Sequence, residues 1–333
     1  LGGIIAKLGS NDVRIAHCYN EADIESTVYR AGGLIGWGNN ESVVEECFNT
    51  GNVSSTSTVQ GTSATSANSI GGLAGYSGCT FIRCYNTGSV KGLSQVGGLV
   101  GQTFKNRTKL YDCYNAGQVI APADSCGSLV GVKTIGNGSY WNADNVAENC
   151  HYVAQIEKPA NDAIGGELTL AALCKIAKGE GWDNGDDYSL PMLSNTDCDA
   201  ARLWSVALIP ADGDTYPNIT KSFHVGNRAG VTWTADIAKL HFDGNDALFN
   251  GEEYKGSVTL TAAIGDRKRE FILNADIPSG IDAIGSDNNV VGRVWFTTDG
   301  IRTAEPAKGE SGVFIVVTKY ADGSEKTAKV TIK

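Results

Sequence analysis

The stretch that decides the fold runs from Gly71 to Val90 and reads GGLAGYSGCTFIRCYNTGSV. It joins a Gly-Gly-Leu-x-Gly element to an apolar-x-x-Cys-aromatic-Asn element, and both elements return along the first half of the chain. The glycine element recurs at Gly32–Gly36 and Gly97–Gly101, with looser copies at Gly2–Ile5 and Gly127–Gly131. Self-similarity at a period of about 20–50 residues is typical of stacked coils that bury their faces against one another.

The cysteine element fixes the length of the repeat. Its cysteines are separated by 29, 37, 29 and 37 residues, at Cys18, Cys47, Cys84, Cys113 and Cys150. Short apolar segments bounded by Gly and Asn predict strands, so the repeat predicts a parallel β-solenoid of about five coils. We expect the glycine pairs to turn corners with positive φ. We expect the asparagines that follow the aromatic residues to turn corners in left-handed geometry, with stacked amides that bond one another.

Five of the nine cysteines share this one repeat position. Equivalent positions on adjacent coils lie about 4.8 Å apart, which permits a disulfide by distance. Parallel, in-register side chains rarely meet its dihedral demand, so we interpret the column as buried, reduced thiols. Cys174 and Cys198 lie outside the column and are the better candidates for a disulfide. Cysteine usage therefore leaves the redox compartment open.

The aromatic residues of the triplets form the candidate binding surface. If they face outward, they make a flat stripe of rings that can stack on sugar faces or peptide; if inward, they pack at the edge of the core, which we favour. The candidate ligand-binding residues are Tyr19, Phe48, Tyr85 and Tyr114.

The residue before each cysteine forms a third column, whose charge alternates through Glu46, Arg83 and Asp112. Unlike charges on neighbouring strands attract, so we interpret the column as a solvent-facing salt ladder that sets the register. The alternative is catalytic: Glu46 and Asp112 are two coils apart, about 9.6 Å in rise, which is close to the carboxylate spacing of inverting glycosidases. Arg83 would lower both pKa values, whereas a general acid needs a raised pKa. We therefore predict no catalytic residue.

The two motifs together resemble the GLUG repeat of bacterial surface proteins, which occurs in adhesins and beside the peptidase domains of immunoglobulin-A proteases. The resemblance covers residues 1–155. Tyr140-Trp141-Asn142 looks like the aromatic motif that often closes such arrays. The repeat is not itself catalytic in those proteins, so the resemblance implies surface display and binding.

The remainder of the chain divides into three further parts. Residues 156–221 are expected to form a cap with one short helix, since Leu170, Leu173, Cys174 and Ala177 share one helical face. Residues 222–278 alternate with period two and resemble a bacterial immunoglobulin-like β-sandwich. Residues 279–333 resemble the all-β C-terminal sorting tails of secreted Bacteroidetes proteins. The fold class expected is all-β: an N-terminal solenoid, a small helical cap and two small sandwich modules.

Composition and motifs make several partners and cofactors unfavourable. A formal charge of −10 disfavours nucleic acid and anionic membrane surfaces. No apolar run is long enough to span a membrane. The four histidines form no HExxH or HxH motif, so we predict no metal and no cofactor. The acidic turns near Asp183, Asp214 and Asp243 leave calcium open without matching an EF-hand.

These observations favour a secreted or cell-surface, adhesin-like binding protein with an extracellular protein or glycan ligand. The loop Asn52–Asn68 lengthens one coil and is a further candidate binding segment. A carbohydrate-active β-helix enzyme using Glu46 and Asp112, and a passive surface stalk, stay open as alternatives. Because the chain starts inside a repeat at Leu1, we expect upstream sequence, including any signal peptide or lipid anchor.

Overall fold

The protein folds as two compact units, which the computed structural model describes over most of the chain. Unit 1 comprises Leu1–Ala207, Gly226–Val231 and Ile264–Arg267, and unit 2 comprises Leu208–Val225, Thr232–Ala263 and Lys268–Lys333. The residues described are 1–27, 30–38, 41–57, 69–103, 107–131, 145–155, 159, 164–176, 178–211, 213–249, 253–278, 290–297, 302–303, 306, 311–320 and 325–332.

Unit 1 begins with five coils of short strands. The first coil contains β1 (Ile5–Leu8), β2 (Arg14–Ala16), β3 (Tyr19–Asn20) and β4 (Ile24–Ser26). The second contains β5 (Arg30–Gly32), β6 (Ile35–Gly38), β7 (Val43–Glu45), β8 (Phe48–Asn49) and β9 (Val53–Ser55). The third contains β10 (Ser69–Gly71), β11 (Ala74–Ser77), β12 (Thr80–Ile82), β13 (Tyr85–Asn86) and β14 (Val90–Lys91).

The fourth coil contains β15 (Val96–Gly97), β16 (Val100–Thr103), β17 (Lys109–Tyr111), β18 (Tyr114–Asn115) and β19 (Val119–Ile120). A 3₁₀ turn at Ala123–Ser125 leads to the fifth coil, with β20 (Cys126–Gly127), β21 (Val146–Glu148) and β22 (His151–Val153). Equivalent strands of successive coils pair in parallel and build five sheets, for example β3-β8-β13-β18-β22 and β2-β7-β12-β17-β21. Repeat positions pair in register, as Tyr85 does with Phe48 and Tyr114. The predicted parallel solenoid of five coils is confirmed.

Glycine in the Gly-Gly-Leu-x-Gly element is required by close packing. A Cβ added to Gly72 would overlap the carbonyl oxygen of Gly98 and the Asn86 side chain. A Cβ added to Gly33 would overlap the carbonyl oxygen of Gly72 and the Asn49 side chain in the same way. Neither glycine is among the residues with positive φ. The prediction that these pairs turn corners with positive φ is therefore wrong: they let the backbones of adjacent coils meet.

The left-handed corner lies one residue before each cysteine. Glu46, Arg83 and Asp112 have φ of 50°, 49° and 53°. The asparagines are instead short-strand residues, so the expected left-handed asparagine is wrong. Their amides do bond one another, as predicted: Asn49 Nδ2 donates to Asn86 Oδ1 at 2.8 Å, and Asn86 Nδ2 donates to Asn115 Oδ1 at 2.9 Å.

The cysteine column fills the core of the coils. Cys47, Cys84 and Cys113 are fully buried, and all nine cysteines of the chain are free thiols. Burial raises the pKa of Cys47 to about 12, so this thiol stays protonated and behaves as a small apolar side chain. The disulfide considered for Cys174 and Cys198 is not formed.

The cap follows the last coil within unit 1. Its elements are β23 (Gly166–Leu168), which adds to β22, then α1 (Leu170–Lys175), β24 (Trp182–Asp183), β25 (Met192–Leu193), a 3₁₀ turn at Ser194–Thr196 and α2 (Asp199–Ser205). Thr169 starts α1 because its hydroxyl oxygen accepts a hydrogen bond from the Ala172 amide at 3.1 Å. The predicted helix is present, although Ala177 lies outside the described residues; α2 was not predicted.

Unit 2 is antiparallel in the main. One sheet has the order β26 (Leu208–Pro210), β28 (Phe223–Val225), β31 (Asp246–Phe249) and β30 (Leu240–Asp243). The other has the order β27 (Asn218–Ile219), β33 (Arg267–Ile277), β32 (Tyr254–Ile264) and β29 (Thr232–Ala235). Phe223 and Val225 of the first sheet share one core with Val258 and Leu260 of the second, as expected for a sandwich.

The end of the chain forms one further sheet in its described part, with the order β35 (Arg302–Thr303), β34 (Val290–Thr297), β36 (Gly312–Tyr320) and β37 (Glu325–Ile332). The chain is thus all-β, with a parallel solenoid followed by antiparallel sheets. Neither α1 nor α2, which have 6 and 7 residues, could cross a membrane, and the described residues contain no longer helix.

Candidate functional site

The four candidate aromatic residues form one continuous ring stack. Ring centroids are 4.9 Å apart for Tyr19 and Phe48, 4.8 Å for Phe48 and Tyr85, and 5.0 Å for Tyr85 and Tyr114. The rings are parallel to within 4°. Parallel register at one coil spacing dictates this arrangement, because each aromatic residue lies directly over its counterpart.

The cap covers most of that stack. Phe48, Tyr85 and Tyr114 are at most 2% exposed, whereas Tyr19 is 40% exposed. Trp182 lies 5.7 Å from the Tyr114 ring, and the Tyr114 hydroxyl donates to the carbonyl oxygen of Pro191 at 2.5 Å. The sequence left open whether the rings pack inside the protein or form an exposed platform. Phe48, Tyr85 and Tyr114 pack inside it. Only Tyr19 offers an accessible face.

A polar cleft lies beside the stack, between the coils and the cap. Its volume is about 350 Å³, and its lining residues are Glu46, Arg83, Glu180, Gly181, Ser194 and Asn195. The first two come from the left-handed corners of the second and third coils, and the others from the loops that flank β24 and β25. We call this the Glu46–Arg83 cleft.

Glu46 is the buried anion of the cleft, at 5% exposure. Its Oε1 accepts two hydrogen bonds from Arg83, at 2.9 Å from Nε and 2.8 Å from Nη2. Its Oε2 accepts one from Asn195 at 2.7 Å and lies 3.1 Å from Nδ1 of His17. The charge ladder predicted for Glu46 and Arg83 is formed, but it is not solvent-facing at Glu46, because Gly181 and Asn195 lie over the carboxylate.

The environment of Glu46 keeps it ionised. Burial by itself would raise the pKa of this carboxyl, but the hydrogen bonds from Asn195 and Arg83 and the charge of Arg83 outweigh burial, so the pKa is lowered. A carboxyl with a lowered pKa is a poor general acid at neutral pH. It remains a strong hydrogen-bond acceptor and a fixed negative charge.

Asp112 belongs to the next coil beyond Arg83, as the repeat predicts. Its carboxylate accepts a hydrogen bond from the Asn149 side chain, and the Asp112 amide donates to the carbonyl oxygen of Glu148 at 3.0 Å. Arg83 belongs to the coil between those of Glu46 and Asp112, and Asp112 is not among the residues that line the cleft around Glu46.

Glu180, Gly181, Ser194 and Asn195 were not found by sequence reasoning, because they lie outside the repeat and in no motif. Gly181 has φ of 89°, and a Cβ there would press on Nε of Arg83 at 2.9 Å. The glycine thus permits the approach of the cap to Arg83. No sequence signal predicts such a contact.

The other candidate segments, the Asn52–Asn68 loop and the acidic turns, show no binding site among their described residues. Residues 58–68 of the Asn52–Asn68 loop lie outside the described residues; Asn52 Oδ1 accepts hydrogen bonds from the Ser89 amide and hydroxyl at 3.0 and 2.7 Å. Asp183 pairs with Arg228 at 2.9 Å, and Asp214 accepts bonds from Thr220. Within the described ranges no three His, Cys, Asp or Glu side chains are grouped to hold a metal ion.

Comparison of the chain with models of known protein families gives no match, and no curated protein sequence matches it either.

Proposed function

We propose that this chain is a secreted or cell-surface, adhesin-like binding protein, and that the Glu46–Arg83 cleft takes a glycan. The observation that carries the proposal is the cleft itself: it is an open polar hollow of about 350 Å³ on a stacked scaffold. This volume falls in the range of small-molecule sites. The resemblance of residues 1–155 to the GLUG repeat supports the same class of function.

The lining favours a polyhydroxylated ligand. Carboxylate, guanidinium, hydroxyl and amide groups are presented by Glu180, Arg83, Ser194 and Asn195. Together they offer donors and acceptors that suit vicinal hydroxyl groups. Arg83 and Asn195 are held in place by their bonds to Glu46, so little side-chain entropy is lost when a ligand binds.

Binding is favoured over catalysis by the state of Glu46. Its lowered pKa leaves no proton to give to a leaving group at neutral pH. The rival hypothesis of a carbohydrate-active enzyme predicts that Glu46→Ala and Asp112→Ala lower activity on a polysaccharide panel. Hydrolysis by the wild-type chain that either substitution abolishes would replace our proposal by that one.

The test is a titration of the full chain against a glycan array and a matrix-protein array. We expect binding on the glycan array, weakened about tenfold by the double variant Ser194→Ala, Glu180→Gln, because loss of the Ser194 hydroxyl and of the Glu180 charge together costs about 1.4 kcal/mol of binding free energy. Both side chains are exposed, so the substitutions leave the fold intact.

The matched control is Glu25→Gln, an exposed glutamate on β4, outside the cleft. It makes the same change of charge and should leave the affinity unchanged. Equal weakening by both variants would point to a non-specific charge effect, and silence on both arrays would favour a passive stalk.

A further inference from the structure

Lys178 is a buried amine to which neither the repeat nor the cleft assigns a role. It belongs to the cap and is 5% exposed. Its Nζ donates one long hydrogen bond, at 3.4 Å, to the main-chain carbonyl oxygen of Asn149. The Nζ also lies 5.4 Å from the Trp182 ring and 6.0 Å from the Tyr114 ring. Buried lysines are normally paired with a carboxylate, yet no ion pair among the described residues includes Lys178.

This setting makes the charged form of the amine less stable than it is at an exposed lysine. Burial lowers the pKa of Lys178, although nearby Cys113, Cys150 and Asp112 act in the opposite direction. A lowered pKa increases the fraction of neutral amine, whose lone pair on Nζ is a nucleophile.

A carboxamide and a carboxyl group stand beside this amine. Asn149 occupies the left-handed corner of the fifth coil, with φ of 50°, and its Nδ2 donates to the Asp112 carboxylate on the preceding coil. The carbonyl oxygen that Lys178 contacts and the side-chain Cγ of Asn149 are each two bonds from the same Cα. Joining Nζ to Cγ therefore requires rotamer changes of the Lys178 and Asn149 side chains.

We propose that Lys178 and Asn149 become joined by an intramolecular isopeptide bond, with Asp112 carrying the proton. The lone pair of Nζ attacks Cγ, and the π electrons of the carboxamide move to Oδ1. One proton passes from Nζ to the Asp112 carboxylate and from there to Nδ2. The C=O bond then re-forms, the Cγ–Nδ2 bond breaks and ammonia leaves. One amide replaces another, so no oxidant or reductant is needed.

The bond would tie the cap to the last coil. Residues 149 and 178 lie on either side of the segment that carries β22, β23 and α1, and a covalent link between them closes that segment into a loop. Closing a loop in the unfolded chain stabilises the native state, as a disulfide does. A link of this kind suits a stacked scaffold, because the terminal coil has a neighbouring coil on one side only. The inference holds whether or not the cleft binds a glycan.

The test is the intact mass of the purified full chain, followed by peptide mapping. We expect a mass lower than that of the sequence by one ammonia molecule, and a branched peptide that joins Lys178 to Asn149. Lys178→Arg and Asn149→Gly should each restore the full mass. Glycine tolerates the positive φ at position 149, so the second variant keeps the fold if the first does not.

Two controls separate the isopeptide from other losses of ammonia. Lys175→Arg changes the exposed lysine at the end of α1 and should keep the branched peptide. A succinimide at Asn149 would also lose ammonia, but it would persist in Lys178→Arg and give no branched peptide. Asp112→Asn should slow formation of the link. An unmodified mass for the folded wild-type chain, or a succinimide alone, would overturn the proposal.

Discussion

The parallel coils of unit 1 and the antiparallel sandwich of unit 2 are both built from short strands, but they set the register of those strands differently. In the sandwich, β30 and β31 are joined directly through Gly244 and Asn245, so the turn aligns the pair. In the coils, paired residues are far apart in sequence, as Asn49 and Asn86 are. Their register is held by contacts between coils: glycine against backbone, amide against amide and ring against ring. The comparison teaches that a repeat position is constrained by the equivalent residues of the two adjacent coils. A hairpin position is constrained mainly by the backbone conformation of its own turn.

The largest expected effect comes from adding one methyl group to a glycine in each region. In Gly72→Ala the new Cβ would overlap the Gly98 carbonyl oxygen, so we expect a loss of about 3 kcal/mol or more in the free energy of unfolding. In Gly244→Ala, φ is 59° and the added Cβ would meet nothing within 4 Å. We therefore expect a loss of about 1 kcal/mol in the free energy of unfolding, from backbone conformation alone. Denaturant titration of both variants measures the difference. Equal losses would contradict the idea that contact between coils sets the requirement for glycine.

A second comparison removes one side-chain amide from each region. Asn86→Ala breaks bonds to both neighbouring coils and leaves buried groups of Asn49 and Asn115 with fewer partners, so we expect a loss of about 2–4 kcal/mol. Asn245→Ala removes a bond from Nδ2 to the Val225 carbonyl oxygen at 2.8 Å, and we expect about 1 kcal/mol. Unfolding of the two variants in urea checks this order. If Asn245→Ala proved the more damaging, the amide ladder would not be what holds the coils.

The smallest expected effect is a pH dependence. The pKa of Glu46 is lowered in the folded state, so the stability it contributes is present above the ordinary glutamate pKa and is lost as the pH falls through the folded-state value. We therefore expect the wild-type chain to lose more stability than Glu46→Gln between about pH 5 and pH 3. Thermal melts across this interval measure the difference between the two slopes.

The matched control for that measurement lies in unit 2. Asp276 is 61% exposed and pairs with Lys255 at 2.7 Å on the surface. Exposed ion pairs contribute little to stability, so Asp276→Asn should follow the wild-type pH profile closely. If Glu46→Gln also followed that profile, the buried carboxylate would not be the source of the acid sensitivity.

The coils could be read from sequence because each repeat position is averaged over several copies. The Cys84 and Tyr85 positions predicted a buried thiol column and a ring stack, and the structure contains both. What the repeat could not place was the strained corner. The positive φ lies at Glu46 and its equivalents, although asparagine tolerates that geometry better. The asparagines of the repeat lie elsewhere, because their side-chain amides form the hydrogen bonds between coils.

The sequence by itself determined the parallel solenoid, its coil length and the columns that fill it, because stacking converts a repeat into spatial neighbours. Only the tertiary structure decided which of those columns stay accessible. Trp182 and Pro191 cover Tyr114, and Asn195 reaches Glu46, across 149 positions of the chain. Such contacts depend on how a non-repeating segment folds back over the coils. No periodicity records that path, so the cleft and the buried Lys178 became visible only when the chain was folded.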